Sequence, residues 1–201
     1  MNKKPLKIVV TGGPGGGKTT ALDLFQREYI DQLNVVPEAA SLMFSAGLKR
    51  NHTDSAKVKL SQIAIYKMQK TLEESFTSLA QGSLLLCDRG SLDGLAYWPD
   101  TEEDYFRTLN TSYEKEFAEY HAVIFFQTSA ASGHAITSNN PFRTENAAQA
   151  TKLDKKLQEI WSKHPNYHFV QNNTSFMKKI GMGIATINKV LLDSQLKFGN
   201  N

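Results

Sequence analysis

The chain has 201 residues, 40% of them apolar and 21% charged, with 23 basic against 20 acidic side chains and a formal charge of +3. That length and composition suit one globular domain with a buried core, and the charge bias is too weak to argue for nucleic acid or a membrane surface as partner. One cysteine excludes an internal disulfide and suits a reducing cytosol, so a cytoplasmic protein is expected.

The amino end, MNKKPLKIVV, imitates a signal peptide, but glycines from position 12 onward cut its apolar run too short. A first strand is expected over Lys7–Thr11, then a glycine-rich stretch, then a helix over Thr19–Ile30. Asn34–Pro37 reads as the second strand. Lys57–Ala80 reads as a long helix with an apolar stripe of Leu60, Ala64, Met68, Leu72, Phe76 and Leu79. Gln62, Tyr66 and Gln69 share another face of it, and that face reads as solvated rather than as the wall of a pocket. Ser83–Cys87 is the third strand, and Thr101–Tyr120 a single helix repeating Tyr105, Leu109, Tyr113 and Phe117 at four-residue intervals. The fourth strand, Ala122–Gln127, leads into a small polar stretch, QTSAASGHAITSNNP, which is expected to form a lid over about residues 128–146. A helix over Thr144–Lys163, a strand over Tyr167–Gln171 and a helix over Ser175–Leu192 complete the pattern. The longest apolar runs, LLLC and AVIFF, cannot span a bilayer, so no transmembrane segment is expected. Strand and helix alternate throughout, which predicts an α/β three-layer fold in one domain over residues 1–201. Its five-stranded, mainly parallel sheet would carry helices on both faces.

The glycine-rich stretch is VVTGGPGGGKTT. Its spacing, Gly12-x4-Gly17-Lys18-Thr19, satisfies the phosphate-loop pattern, with a strand before it and a helix after it. Glycines let the backbone turn several N–H groups toward one anion, and the following helix adds the positive end of its dipole. Gly13, Pro14, Gly15, Gly16, Gly17, Lys18, Thr19 and Thr20 are therefore the expected nucleotide-binding residues. Lys18 can reach the β- and γ-phosphates, and the Thr19 hydroxyl can ligate Mg²⁺. ATP with Mg²⁺ is the expected ligand, with GTP as the alternative nucleotide.

Three further segments bring chemistry toward that loop. Asp88 ends the third strand, where an acid in such a fold overlies the ligand crevice and can hold Mg²⁺, directly or through water. The competing reading is a salt bridge or a helix cap. Arg89 follows it and can clamp a phosphate or an acidic group of an acceptor. Glu38 directly follows the second strand, where it can accept a proton from an acceptor hydroxyl or position it for attack; the bland reading is a helix cap. Arg143 lies where the lid meets the next helix and can swing onto the transferring phosphoryl group, or simply pair with Glu145. Asp93 and Tyr97, in SLDGLAYW, are candidates to bind an acceptor, whereas Trp98 reads as packing. Lys49, Arg50 and His52 read mostly as an exposed loop, Cys87 as packing beneath the site, and the histidines lack metal-ligand spacing.

Taken together, TGGPGGGKTT, VVPEAA, CDRGSLDGLAYW and RTENAA resemble the AAA-labelled phosphate-loop family. That family includes the nicotinamide-riboside kinase domain and a eukaryotic GTP- and phosphoinositide-binding trafficking protein. The resemblance covers roughly residues 6 to 190. It implies the nucleotide-kinase type of phosphate-loop fold, an acid on the third strand and a lid arginine, which match Asp88 and Arg143 here. No ring-forming ATPase is expected, because its sensor and arginine-finger regions need more chain. The leading expectation is a small-molecule kinase, of nucleoside or metabolite type, that passes the γ-phosphate to an acceptor hydroxyl. The alternative is an ATP- or GTP-dependent switch or binding module with slow hydrolysis, phosphoinositide binding included; Asn188–Asp193 has the wrong spacing for a guanine-specific signature.

Overall fold

The computed structural model describes residues 4–29, 33–50, 53–80, 84–132, 146–173 and 175–198. Five strands, β1 (Leu6–Thr11), β2 (Leu33–Val36), β3 (Leu84–Asp88), β4 (Ala122–Phe126) and β5 (Tyr167–Val170), form one sheet in the order β2-β3-β1-β4-β5. Every pairing is parallel. The helices are α1 (Lys18–Glu28), α2 (Ala39–Ser45), α3 (Ser55–Leu79), α4 (Glu102–Leu109), α5 (Tyr113–Phe117), α6 (Ala147–Trp161) and α7 (Phe176–Phe198), with short 3₁₀ turns at Ser91–Tyr97 and Ser129–Ser132.

Side-chain alternation along the strands divides the core into two layers. Ile8 and Val10 of β1, Leu84 and Leu86 of β3, and Ile124 and Phe126 of β4 pack with Phe25 of α1 and Ile187 of α7. Val9, Cys87, Val123 and Phe125 point the other way and pack with Tyr105 of α4 and Leu157 and Trp161 of α6. The sheet is thus covered on both faces, which explains its near-continuous apolar strands. The expected three-layer phosphate-loop architecture is observed. At the carboxyl ends of the neighbours β1 and β4 the connections diverge, since the chain runs from β1 to β2 at one edge of the sheet and from β4 to β5 at the other. That is where a crevice opens in sheets of this kind.

Two helical expectations are corrected. Thr101–Tyr120 is not one helix: Asn110 takes a left-handed conformation at φ 51 and ends α4, and the Ser112 hydroxyl caps α5 by accepting from the Lys115 N–H. Asn tolerates that conformation and Ser is a favoured cap, so NTS at 110–112 interrupts a periodicity that otherwise runs on. In α3, the expected stripe is only partly buried: Leu72 and Phe76 pack against the core, Leu60 and Leu79 are 67% and 79% exposed, and Gln69 and Glu73 are the fully buried residues. The reason is a polar network beneath β3. Glu73 accepts from Gln69 Nε2 at 2.9 Å and Tyr120 OH at 2.8 Å, and pairs with Lys7 Nζ at 3.2 Å. A buried carboxylate with three partners is satisfied, so a polar face can turn inward.

Most of the expected lid, residues 133–145, lies outside the described residues, and Arg143 with it. His52 does so too. Among the described residues no helix is long and apolar enough to cross a membrane, and no group of His, Cys, Asp and Glu could hold a metal ion by itself.

Candidate functional site

The turn between β1 and α1 needs its glycines for measurable reasons. Gly12 sits at φ 132, and a Cβ there would lie 2.0 Å from the Phe126 carbonyl oxygen. Gly17 precedes α1 at φ 81, a left-handed conformation that strains other residues. The first N–H groups of α1, at Lys18, Thr19 and Thr20, have no acceptor within the helix, so they open toward the turn. Thr19 and Thr20 are exposed, whereas Lys18 is buried and folds back to donate to the carbonyls of Gly12 at 2.8 Å and Gly13 at 2.7 Å. The turn therefore holds an ammonium group, a hydroxyl and the amides of a helix start at one point, as a polyphosphate requires.

Other elements brace this turn. The Asp154 carboxylate of α6 accepts from the Gly13 N–H at 2.7 Å and the Thr128 N–H at 3.1 Å. Burial pushes its carboxyl pKa upward, and those two N–H groups oppose the shift. The Thr128 hydroxyl donates to the Pro14 carbonyl. Lys179 of α7 donates to the carbonyls of Gly16 at 2.7 Å and Gln127 at 2.6 Å. Burial pushes the Lys179 ammonium down to about 8, against the attraction of Asp154.

Asp88 ends β3 directly beside β1, paired in register with Val10, and so stands at the same edge of the sheet as the turn. Arg89 then adopts a left-handed backbone at φ 79, unusual for a residue with a side chain. Its peptide is held on both sides: the N–H donates to Val10 O at 3.1 Å, and the carbonyl accepts from Gln69 Nε2 at 3.2 Å. The guanidinium is buried, donates to Gly12 O at 2.6 Å and Asp93 Oδ2 at 3.1 Å, and pairs through Nε with Glu38 Oε1 at 3.3 Å. Burial opposes its charge, but Glu38 and Asp93 more than offset that and hold its pKa above the ordinary value.

Glu38 stands at the N-cap position of α2, yet its side chain caps no backbone N–H there. It accepts from Ser41 Oγ at 2.6 Å and faces Arg89 instead. Asp93 accepts from Thr11 Oγ1 at 2.8 Å, from Arg89, and from Trp161 Nε1 at 2.7 Å. With so many donors its carboxylate locks β1, the Ser91–Tyr97 turn and α6 together. Tyr97 borders the open space beside it. Trp98 packs edge-on against Tyr105, as expected for a core ring.

That open space is a cavity of about 280 Å³ between α2, α3 and the Ser91–Tyr97 turn. Pro14 of the glycine turn, Glu38, Arg89 and Asp93 form its polar end, and Phe44, Val58, Ile65 and Tyr97 give it apolar walls. Gln62, Tyr66 and Gln69 line it as well, which corrects the reading of their face as solvated. Arg50 is also on its wall, with its guanidinium 5.8 Å from the Phe44 ring and 5.9 Å from the Tyr97 ring, so it is not merely part of an exposed loop. Cys87 is fully buried beneath the site, as expected.

The structure thus brings Lys18, Glu38, Asp88, Arg89, Asp93 and Tyr97 to one crevice. Asp154, Thr128 and Lys179 were missed by sequence reasoning. For Asp154 and Lys179 the only signal is a polar residue inside an otherwise apolar helical stripe, as at Asp154 between Leu153 and Leu157, and Thr128, in the connection after β4, carries none.

Comparison with solved structures gives the same architecture. The chain is similar to deoxyadenosine kinase from M. mycoides with bound dATP, at 14% identity and a TM-score of 0.58, covering 91% of this chain and 99% of that one. It is also similar to thymidylate kinase from Candida albicans, at 13% identity and a TM-score of 0.67, covering 93% of each chain. At such identities the likeness is one of fold. No curated protein matches the chain. The model of the AAA domain family matches residues 7–179, and the chain belongs to that family.

Proposed function

We propose that the protein is an ATP-dependent kinase that transfers the γ-phosphoryl group to a hydroxyl of a small molecule held in the cavity between α2 and α3. The observation that carries this reading is the shared wall: Pro14 of the phosphate loop and Glu38 and Arg89 border the same cavity. A switch or plain hydrolase needs no second, largely apolar compartment opening onto its phosphate loop; a phosphotransferase does.

In this reading Gly13 to Thr20 bind the triphosphate, with ATP as donor, and Lys18 leaves its two carbonyl partners to meet the β- and γ-phosphates. The oxygen donors of Thr19 and Asp88 suit a hard cation and would hold Mg²⁺. When bound, that ion supplies neutralising charge at the phosphate oxygens. Glu38, oriented by Ser41 and Arg89, receives the acceptor's proton as the acceptor oxygen forms its bond to the γ-phosphorus. The bond from that phosphorus to the bridging β,γ oxygen breaks, and ADP leaves with the electron pair. Arg89 holds the geometry and presents positive charge at the junction, while Tyr97 contacts the acceptor and Asp93 fixes Arg89 from behind. Arg143, which lies outside the described residues, is assigned to neutralise charge on the transferring phosphoryl group. Catalysis comes from alignment and electrostatics.

The test is a transfer assay with MgATP and a panel of nucleosides, sugars and other hydroxyl metabolites, run with wild type and Glu38→Gln. Wild type phosphorylates an acceptor, and Glu38→Gln lowers kcat by about 10²-fold or more while calorimetric ATP affinity stays the same. Tight ATP binding with no transfer to any acceptor, and ATP hydrolysis indifferent to Glu38→Gln, would move the protein to the switch class.

A further inference from the structure

We infer that Lys179, on the last helix and outside every motif of the site, is a positioning residue for the phosphate loop: it turns the Gly16 carbonyl outward and so aims the Gly17 N–H at the bound polyphosphate. The inference rests on reading residues 12–20 as a triphosphate site, not on the identity of any acceptor.

The argument starts from peptide geometry. In a trans peptide the C=O of one residue and the N–H of the next point in opposite directions. Lys179 Nζ lies 2.7 Å from Gly16 O and 2.6 Å from Gln127 O. It therefore fixes the 16–17 peptide with its oxygen toward α7 and the end of β4. The Gly17 N–H must then face the other side of the turn, where Lys18 and the first amides of α1 stand. Thr128 does the same two peptides earlier: its hydroxyl donates to Pro14 O, which sends the Gly15 N–H inward. Asp154 holds the Gly13 N–H, keeping the entry of the turn in place. Glycines at 15 and 17 make these amides free to rotate; a glycine turn with nothing behind it would sample many orientations. Residues from α6, α7 and the end of β4 remove that freedom before the anion arrives.

Lys179 is poorly explained as packing. It is only 1% exposed, and an aliphatic residue would fill the same space without burying a charge. The ammonium has three N–H donors, and three oxygens surround it: Gly16 O, Gln127 O and, at 3.4 Å, Asn172 Oδ1. Two of those oxygens belong to the backbone that bounds the loop. The helix is registered on the same turn by a neighbouring contact, since the Phe176 ring lies 2.6 Å from where a Gly17 Cβ would stand. The first turn of α7 is thus fitted to peptide 16–17 by a ring on one side and an ammonium on the other.

The experiment compares wild type, Lys179→Met, Lys179→Arg and Thr128→Val by calorimetry with MgATP and with inorganic tripolyphosphate, which probes the loop without a base. Amide spectra of ¹⁵N-labelled protein are followed in the same titrations. Wild type binds both ligands, and the Gly17 amide proton moves downfield as tripolyphosphate is added. Lys179→Met binds both at least about tenfold more weakly and loses the Gly17 shift, although its melting curve is still cooperative. Lys179→Arg, which keeps donors at that position, recovers most of the affinity. If Lys179→Met does not fold, Thr128→Val carries the test through the Gly15 amide, with the same direction expected for both ligands. A folded Lys179→Met with wild-type affinity and an intact Gly17 shift overturns the inference, as does an unaltered Thr128→Val where Lys179→Met is unfolded. Failure of wild type to bind either ligand would remove the triphosphate site itself, an outcome separate from the loss seen only in the variants.

Discussion

Arg89 concentrates the chemistry of the crevice in one side chain. Its guanidinium spans Gly12 O, Asp93 and Glu38, and its own backbone sits in a conformation that costs about 1–2 kcal/mol for a residue with a Cβ. Removing it would leave the buried Asp93 without its counter-charge, which typically costs about 3–5 kcal/mol. Arg89→Ala should therefore lose stability on that order in urea unfolding, and a loss below about 1 kcal/mol would mean the pair behaves as a solvated one. At this scale the sequence was most informative where partners are neighbours in the chain. Gly12 to Thr20 form one contiguous site, and Asp88 and Arg89 are read from the end of a strand. Lys179 and Asp154 meet the loop across separations of 163 and 141 residues, which no local pattern encodes. Gln69 and Glu73 were hidden for a related reason: a polar pair on a helix looks solvated unless the strand turn that receives it is known.

Among the elements, the glycine turn and β4 are set by one close approach. A Cβ at Gly12 would stand 2.0 Å from Phe126 O, at a φ of 132 that side chains avoid. Gly12→Ala must push the turn off the end of β4, breaking the bonds of Gly12 O to Lys18 and Arg89. The expected result is loss of MgATP binding by calorimetry together with about 2 kcal/mol or more of destabilisation; retained affinity would show that the turn does not need this seat. The places of all five strands along the chain and their parallel pairing were legible, because buried parallel strands are short apolar runs separated by helical periods; their order in the sheet was not. The split of residues 101–120 was not. Its four-residue repeat of aromatics passes straight through Asn110, and only the local chemistry of Asn110 and Ser112 marks the break. The helix α2 was also unread, since its seven residues are too few to display a period.

For the molecule as a whole, acid sensitivity below pH 6.5 should come from groups far from the crevice. His121 and His168, at the start of β4 and in β5, and His164, between α6 and β5, are grouped around Asn166. Its N–H donates to His164 Nδ1 at 3.0 Å, and His168 Nε2 lies 2.8 Å from its side-chain oxygen. Its amide also donates to His121 O at 2.8 Å. Burial lowers the pKa of all three histidines below 6.5. The unfolded chain then binds more protons than the folded one as pH falls through that value, so their contribution to stability is present above about 6.5 and is lost below it. Asp154, whose carboxyl is raised by burial, works in the opposite sense, while Lys179, pushed down by burial, works in the same sense as the histidines. The urea midpoint should fall between pH 7.5 and 5, and His164→Gln should flatten the fall; a midpoint that holds or rises would contradict the assignment. The fold class and the phosphate loop are thus written in the sequence, while the cavity is not. It arises where α2 and α3 lean over the end of β3, a relation that only packing defines.

The two compartments make one claim together: a triphosphate in the turn and a hydroxyl in the cavity meet at Glu38 and Arg89. Following the label of γ-³²P-ATP with the acceptor panel tests that most directly. Label appearing on an acceptor, at a rate that depends on Glu38, is the predicted result; label appearing only as inorganic phosphate, at a rate no acceptor changes, would contradict it.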